Sequence, residues 1–136
     1  TAPYRGIAAE LFDQHNAYEL LETQGAIEFL STSFIRGTTL DNAVILVDEM
    51  QNLTFHELDS IITRVGRNSR IIFSGDYYQT DLSKEADKTG ILKFLNIMEV
   101  MNNFTTIEFG WADIVRSDFV RDYIMTKDMV ERGDIQ

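Results

Sequence analysis

Two hydrophobic rhythms run along this chain. Ile7, Leu11, Tyr18 and Leu21 recur at helical spacing and predict a helix over roughly residues 4–22. "AIEFLS" (26–31) reads as a strand, followed by the loop "TSFIRGTTLDN". "AVILV" (43–47) is apolar at every position, the pattern of a strand buried on both faces of a parallel sheet. Thr54 and Glu57 fit a capping box that opens a helix through about Val65, and Gly66 sits where a helix end favours a left-handed residue. "RIIFSGD" (70–76) is a second apolar strand ending in a Gly-Asp turn. "TGILKFLNIMEVM" (89–101) is an amphipathic helix whose core face carries Met98 and Met101. "FTTIEF" (104–109) reads as a further strand and "SDFVRDYIMTKDMVERG" (117–133) as a final helix. Strands alternating with helices predict an α/β fold with a mostly parallel sheet.

In such sheets ligands sit at the carboxyl ends of the strands. Three polar clusters fall there: Asp48-Glu49, Asp76 to Gln79, and Asp113 to Arg116. Asp48, closing an apolar strand, suits Mg²⁺, held directly or through a water, because a hard cation takes oxygen ligands. Glu49 points elsewhere if strand geometry persists, and so is free to orient or deprotonate an attacking water. Gln51 is a neutral donor and acceptor suited to contacting a phosphate or relaying its presence. The plainer alternative is a strand-end acid that caps the next helix.

Asp76 and Gln79 admit two readings as well: an Asx-turn with Gln79 solvated, or a sensor of a terminal phosphate. Arg116 either stabilises charge on a transferring phosphoryl group or pairs with Asp113 or Asp118 on the surface. Arg36 and Arg64 are weaker candidates, and Arg64 has a simpler role at its helix C-terminus. His15 and His56 lack partner ligands. Trp111, Tyr77 and Tyr78 carry rings able to stack on bases, with packing as the ordinary alternative for Trp111.

Composition narrows the classes. The 136 residues fit one domain over 1–136, with 44% hydrophobic residues and no cysteine. Disulfides and thiolate metal sites are thereby excluded. Twelve basic against 22 acidic residues leave a net charge of −10, which disfavours non-specific binding of nucleic acid by this chain alone. No signal peptide or membrane span is visible, so a cytoplasmic protein without membrane partners is the expectation. The first residue is Thr1 rather than Met, which implies that something upstream was removed.

The order of the pieces, "IRGTTLDNAVILVDEMQN", "ITRVG", "IIFSGDYYQTDL" and "ADIVRSDFV", resembles the PhoH family of phosphate-starvation-inducible ATPases. These are RecA-like P-loop domains related to the first half of superfamily 1 helicases. The similarity covers roughly residues 24 to 125. It implies a three-layer RecA-like core in which Asp48 is the Mg²⁺-associated Walker B acid and Glu49 the catalytic carboxylate. Gln51 would belong to the same motif, Asp76 and Gln79 to a phosphate-sensing Gly-Asp-x-x-Gln motif, and Arg116 to a phosphate-facing arginine. The implied cofactors are ATP and Mg²⁺; the implied partners are RNA or DNA and further copies of the protein. Thr38, Ser117, Ser83 and Asp118 depart from the family pattern and leave the hydrolytic set intact.

The Gly-x-x-x-x-Gly-Lys-Ser/Thr loop that such a site requires does not occur in the sequence. In the family that loop lies upstream, so the expectation is the later part of such a domain, its P-loop cut away or supplied from elsewhere. By itself the chain is then expected to be inactive. Two other readings stand beside the ATPase: a binding module that keeps the fold without catalysis, and a metal-dependent nuclease or phosphatase built on Asp48, Glu49 and Asp76.

Overall fold

Strands β1 (Val44–Val47) and β2 (Arg70–Phe73) pair in parallel, with Val44 opposite Arg70 and Val47 opposite Phe73. The computed structural model describes residues 1–33, 35, 37–76 and 85–135, with side chains only from residue 90 onward in the last stretch. Alternation along the strands puts Ile45, Val47, Ile71 and Phe73 together, packed with Ile35, Leu53 and Ile61. Val44, Leu46 and Ile72 alternate with these and remain more than half exposed. The expected double cover therefore holds for one face. A continuous apolar run fits a strand wherever β-branched residues are favoured, and does not report whether the second face is covered.

Helix α3 (Phe55–Ile62) begins with the expected capping box: the Glu57 amide donates to Thr54 Oγ1 (3.2 Å) and the Thr54 amide to Glu57 Oε2 (2.8 Å). It ends three residues earlier than expected. Gly66 is not left-handed. Its amide donates to the Leu40 carbonyl (2.8 Å) while the Leu40 amide donates to the Arg64 carbonyl (2.8 Å), forming an isolated parallel bridge between Leu40 and Val65. Close approach of two backbones, rather than a helix cap, is what requires glycine here.

Helix α4 (Glu85–Val100) starts four residues before the expected helix and buries Ile91 and Phe94. The Phe94 ring meets Phe73 edge-on at 5.1 Å and Phe55 at 6.5 Å, which ties α4 to β2 and to the start of α3. Met98 is buried, whereas Met101 lies beyond the helix and is exposed.

The long N-terminal helix predicted from periodicity is two helices, α1 (Ala2–Leu11) and α2 (Ala17–Thr23). The chain breaks where Asp13 turns left-handed (φ 49°), and the intervening Asp13 and Asn16 are residue types that favour turns over helix. Ala8, Ala17 and Tyr18 form a small buried cluster with Tyr4 and Ile27 packed against it.

Residues 26–31 and 104–109 are not strands. Phe29, Ile107 and Phe109 are well exposed. Strand propensity describes side chains that suit a pleated surface; a strand also requires a neighbour to pair with. The chain separates into two compact units, Thr1–Ile97 and Met98–Gln136. In the second, a 3₁₀ turn (Trp111–Asp113) is held to α5 (Asp118–Arg132) by the Trp111 indole, which donates to Asp128 Oδ2 (2.9 Å). Asp128 Oδ1 takes Arg132 Nε at 2.9 Å. The Trp111 indole N–H is thus engaged, while its ring stays partly exposed. The architecture is α/β with a parallel sheet, consistent with part of a RecA-like domain. Among the described residues no helix is long and apolar enough to cross a membrane.

Two glycine substitutions test this reading. A Cβ on Gly66 would stand 2.8 Å from the Leu40 carbonyl oxygen and against the Asp41 carboxylate. Gly66→Ala is expected to lower unfolding stability by about 1–3 kcal/mol. Gly6, inside α1, has open space around it. Gly6→Ala is expected to raise stability by about 0.5–1 kcal/mol. Urea denaturation measures both.

Candidate functional site

The end of β1 and the end of β2 are held together beyond the strands themselves. The Ser74 amide donates to the Val47 carbonyl (2.8 Å) and the Met50 amide to the Ser74 carbonyl (3.0 Å), so Ser74 is clamped alongside Asp48. Three donors converge on the Asp48 carboxylate. Ser74 Oγ (3.0 Å) and the Glu49 amide (2.9 Å) reach Oδ1, and the Tyr4 hydroxyl reaches Oδ2 (2.8 Å). The Tyr4 hydroxyl foremost, then Ser74, hold the Asp48 carboxyl below the usual carboxylate range; burial opposes them, and the Glu49 amide adds the smallest lowering. In return the bond to Asp48, with burial and the charges of Asp48 and Glu49, holds the Tyr4 phenol above its usual range.

The separation of the two neighbouring acids does not arise from strand alternation, as the sequence reading supposed. Glu49 is left-handed (φ 53°, ψ 43°), so the chain turns sharply after Asp48 into a 3₁₀ turn (Met50–Asn52). A non-glycine residue in this region is strained and is held there by its surroundings. The restraint is Gln51. Its side chain is buried, its Nε2 donates to Glu49 Oε2, and its Oε1 accepts from the Asp76 amide (3.2 Å). Gly75 lies against it: a Cβ there would overlap Gln51 Oε1 and come within 2.8 Å of Met50 Cγ.

Asp48, Glu49, Gln51 and Asp76 therefore belong to one connected constellation at the carboxyl ends of two parallel strands. Asp48, Glu49 and Asp76 are exposed, whereas Gln51 is internal and links Glu49 to the Gly75-Asp76 backbone. Gln79 lies outside the described residues, as do Arg36, Tyr77, Tyr78 and Ser83. Arg116 stands exposed in the second unit, preceding α5, and pairs with neither Asp113 nor Asp118. Asp113 instead accepts from the Gly110 amide (2.7 Å). Because residues 104–109 form no strand, Arg116 does not follow a strand end of the described sheet. Ser117, a departure from the family pattern, caps α5 by accepting from the Val120 amide.

Sequence reasoning missed Tyr4 and Ser74. Ser74 had a signal, since it occupies the first position after β2 beside the Gly-Asp turn. Tyr4 had none: its partner lies 44 residues away. Among the described residues no three metal-ligating side chains cluster together. A cation here would be held by Asp48, directly or through a water, and draw its other donors from water or phosphate, the habit of Mg²⁺.

The Tyr4–Asp48 bond has a defined pH window. Asp48 has a lowered folded pKa, so its contribution is present above the unfolded carboxyl value of about 4 and is lost as pH falls through the folded value. Tyr4 has a raised folded pKa, so its contribution is present below about 10 and is lost as pH rises through the folded value. Tyr4 ring resonances in NMR are expected to stay constant between these limits and to move toward those of an Asp48→Ala variant, which lacks the acceptor, beyond either one. A flat profile through the acid limb would show that the bond does not form in solution.

The chain was compared with known proteins. A family model described as PhoH-like protein matches residues 3–128. A PhoH-like protein of Mycobacterium leprae (strain TN) is 31% identical over 115 residues, 85% of this chain and 33% of that protein. A PhoH-like protein of Bacillus subtilis (strain 168) is 34% identical over 110 residues, 81% of this chain and 34% of its own length. Protein PhoH of Escherichia coli (strain K12) is 34% identical over 93 residues, 68% of this chain and 26% of its own length. The chain thus spans about a third of the length of the curated relatives it matches. With the family match running through Tyr4, Asp48, Gln51 and Arg116 alike, the chain belongs to the PhoH family.

Proposed function

We propose that this chain forms the Walker B side of an ATP-hydrolysing site. The observation that carries the reading is the Gln51 bridge, which joins the Glu49 carboxylate to the Asp76 backbone across the ends of β1 and β2. A hydrolytic site needs its water-activating base coupled to the element that faces the terminal phosphate. The bridge supplies that link through one buried amide with both ends engaged.

Each residue has a distinct task. Asp48, oriented by Tyr4, Ser74 and the Glu49 amide, takes part in holding Mg²⁺. When bound, the cation supplies charge neutralisation for the nucleotide phosphates. Glu49 uses one oxygen to hold Gln51, and its other oxygen makes no hydrogen bond among the described residues. It is the acceptor for a proton from the attacking water. Gln51 is a positioning residue that fixes the Glu49 carboxylate. By the family resemblance Asp76 and Gln79 are assigned to sensing the terminal phosphate and Arg116 to stabilising charge on the transferred group. The phosphate-cradling loop is not in these 136 residues, so nucleotide binding requires a segment beyond them. Kinship with helicase halves extends the reading to remodelling of RNA or DNA.

The nuclease alternative draws no support from the wiring, because two-metal hydrolysis converges acids on a pair of cations. Among the described residues no three metal-ligating side chains cluster, and Asp48 and Glu49 are bonded to different partners, Tyr4 and Ser74 for one and Gln51 for the other.

Activity is tested in a chimera that places residues 3–128 in the corresponding stretch of the Bacillus subtilis relative, behind a P-loop. ATP turnover is expected, and Glu49→Gln should abolish it while leaving nucleotide binding within about twofold, since the amide keeps the shape and loses the base. Turnover at the parental rate in Glu49→Gln would remove Glu49 from the chemistry. A folded chimera that neither binds nor hydrolyses ATP would favour a binding module.

Arg116 is judged by magnitude in the same chimera. A phosphoryl-stabilising arginine is worth about 10³–10⁵ in rate, whereas a surface ion pair is worth about 0–1 kcal/mol. Arg116→Ala is expected to lower turnover at least about a hundredfold with little change in binding. A loss below about threefold would make it a surface residue. Recovery on mixing this variant with Glu49→Gln would show that the arginine acts across a subunit boundary.

A further inference from the structure

Helix α1 enters the site through a single atom. The Tyr4 ring packs against Ala8, Ala17 and Tyr18 in the helical hairpin, and its hydroxyl crosses to Asp48 Oδ2. A carboxylate offers about four lone-pair positions. At Asp48, Oδ1 is filled by Ser74 Oγ and the Glu49 amide, and Oδ2 is half filled by Tyr4. Among the described residues one acceptor position remains, on Oδ2. The phenol has spent its only hydrogen on that bond, so its oxygen can act toward a further group only as an acceptor. Two acceptor oxygens thus stand 2.8 Å apart on an exposed strand end.

That spacing has a natural counterpart. In octahedral Mg²⁺ the oxygens lie about 2.0–2.1 Å from the metal, so neighbouring waters of its shell are about 2.9 Å apart. Mg²⁺ also gives up water reluctantly and is commonly held through its hydration shell. We propose that Tyr4 Oη and Asp48 Oδ2 together form a two-oxygen cradle for a hydrated divalent cation, with Tyr4 a ligand-binding residue of the site. The inference rests on the reading of Asp48 as the cation-holding acid and adds the N-terminal helix to that site. It places the cation in the outer sphere, since two oxygens 2.8 Å apart match neighbouring waters of the hydration shell.

The test uses the 136-residue chain with Mn²⁺ as a paramagnetic probe and hexaamminecobalt(III) as an octahedral cation that cannot shed its ligands. Amide resonances of Tyr4, Glu49 and Gly75 are followed by NMR. Mn²⁺ should broaden all three together, and hexaamminecobalt(III) should shift them at comparable concentration. Tyr4→Phe keeps the ring and should leave the Ala8 and Tyr18 amides in place while weakening both cations at least about fivefold. Asp48→Asn should abolish the effect. If Tyr4→Phe binds both cations as the parent does, or more tightly, while Asp48→Asn loses them, the cradle is wrong and the Asp48 reading stands. If Asp48→Asn leaves the broadening unchanged, or the parent shows none, Asp48 is not the cation-holding acid and both fail. Binding of Mn²⁺ without hexaamminecobalt(III) would mean direct coordination and would also overturn the cradle.

Discussion

The pairing of Val47 with Phe73 governs the rest of the site, because side chains alternate along a strand and a slip of one residue exchanges the faces. In the observed register Val47 and Phe73 both enter the core, where Phe73 meets the Phe94 ring. The same register brings Ser74 beside Asp48, and the ladder runs one step further through the Ser74 and Met50 amides. A slipped pairing would expose Phe73 and at the same time remove Ser74 Oγ from the Asp48 carboxylate. The apolar core and the polar site are therefore held by one constraint, and the free energy that fixes the first also orients the second.

Gln51 carries that order away from the sheet. A buried amide with an unmet donor or acceptor costs about 1–3 kcal/mol, so its two bonds, to Glu49 and to the Asp76 backbone, are mutually enforcing. Those bonds also account for how a glutamate tolerates a left-handed backbone, a conformation that costs on the order of 1–3 kcal/mol. Gly75 completes the arrangement by leaving the room that the Gln51 side chain occupies. Strain at Glu49, burial at Gln51 and the absence of a side chain at Gly75 are one device distributed over two strand ends.

How much of this was legible depended on how local the cause was. The capping box at Thr54 and Glu57 is written within four residues and was read correctly. The two central strands were recognised because an apolar run followed by acids is a local pattern. Residues 26–31 and 104–109 carry the composition of strands and are not strands, since pairing depends on a neighbour that composition does not name. Gly66 was assigned to a helix cap when its reason is a backbone 26 residues distant in sequence, that of Leu40. The acids of the site were visible in the sequence, and Gly75 with them in the Gly-Asp turn; Ser74 showed only by its place after β2, and Tyr4 only once the fold brought it to Asp48.

Charge sets the order in which such a site fills. Asp48, Glu49 and Asp76 are exposed on a chain of net charge −10, so a bare triphosphate meets like charge at the strand ends. A hydrated divalent cation finds attraction and, among the described residues, two acceptor oxygens, on Asp48 and Tyr4, but no further donor to complete its hold. Each ligand alone is thus held weakly. Together they correct each other: phosphate oxygens complete the cation's shell, and the cation offsets repulsion between phosphate and carboxylate. On the nucleotide reading the two bind as one species.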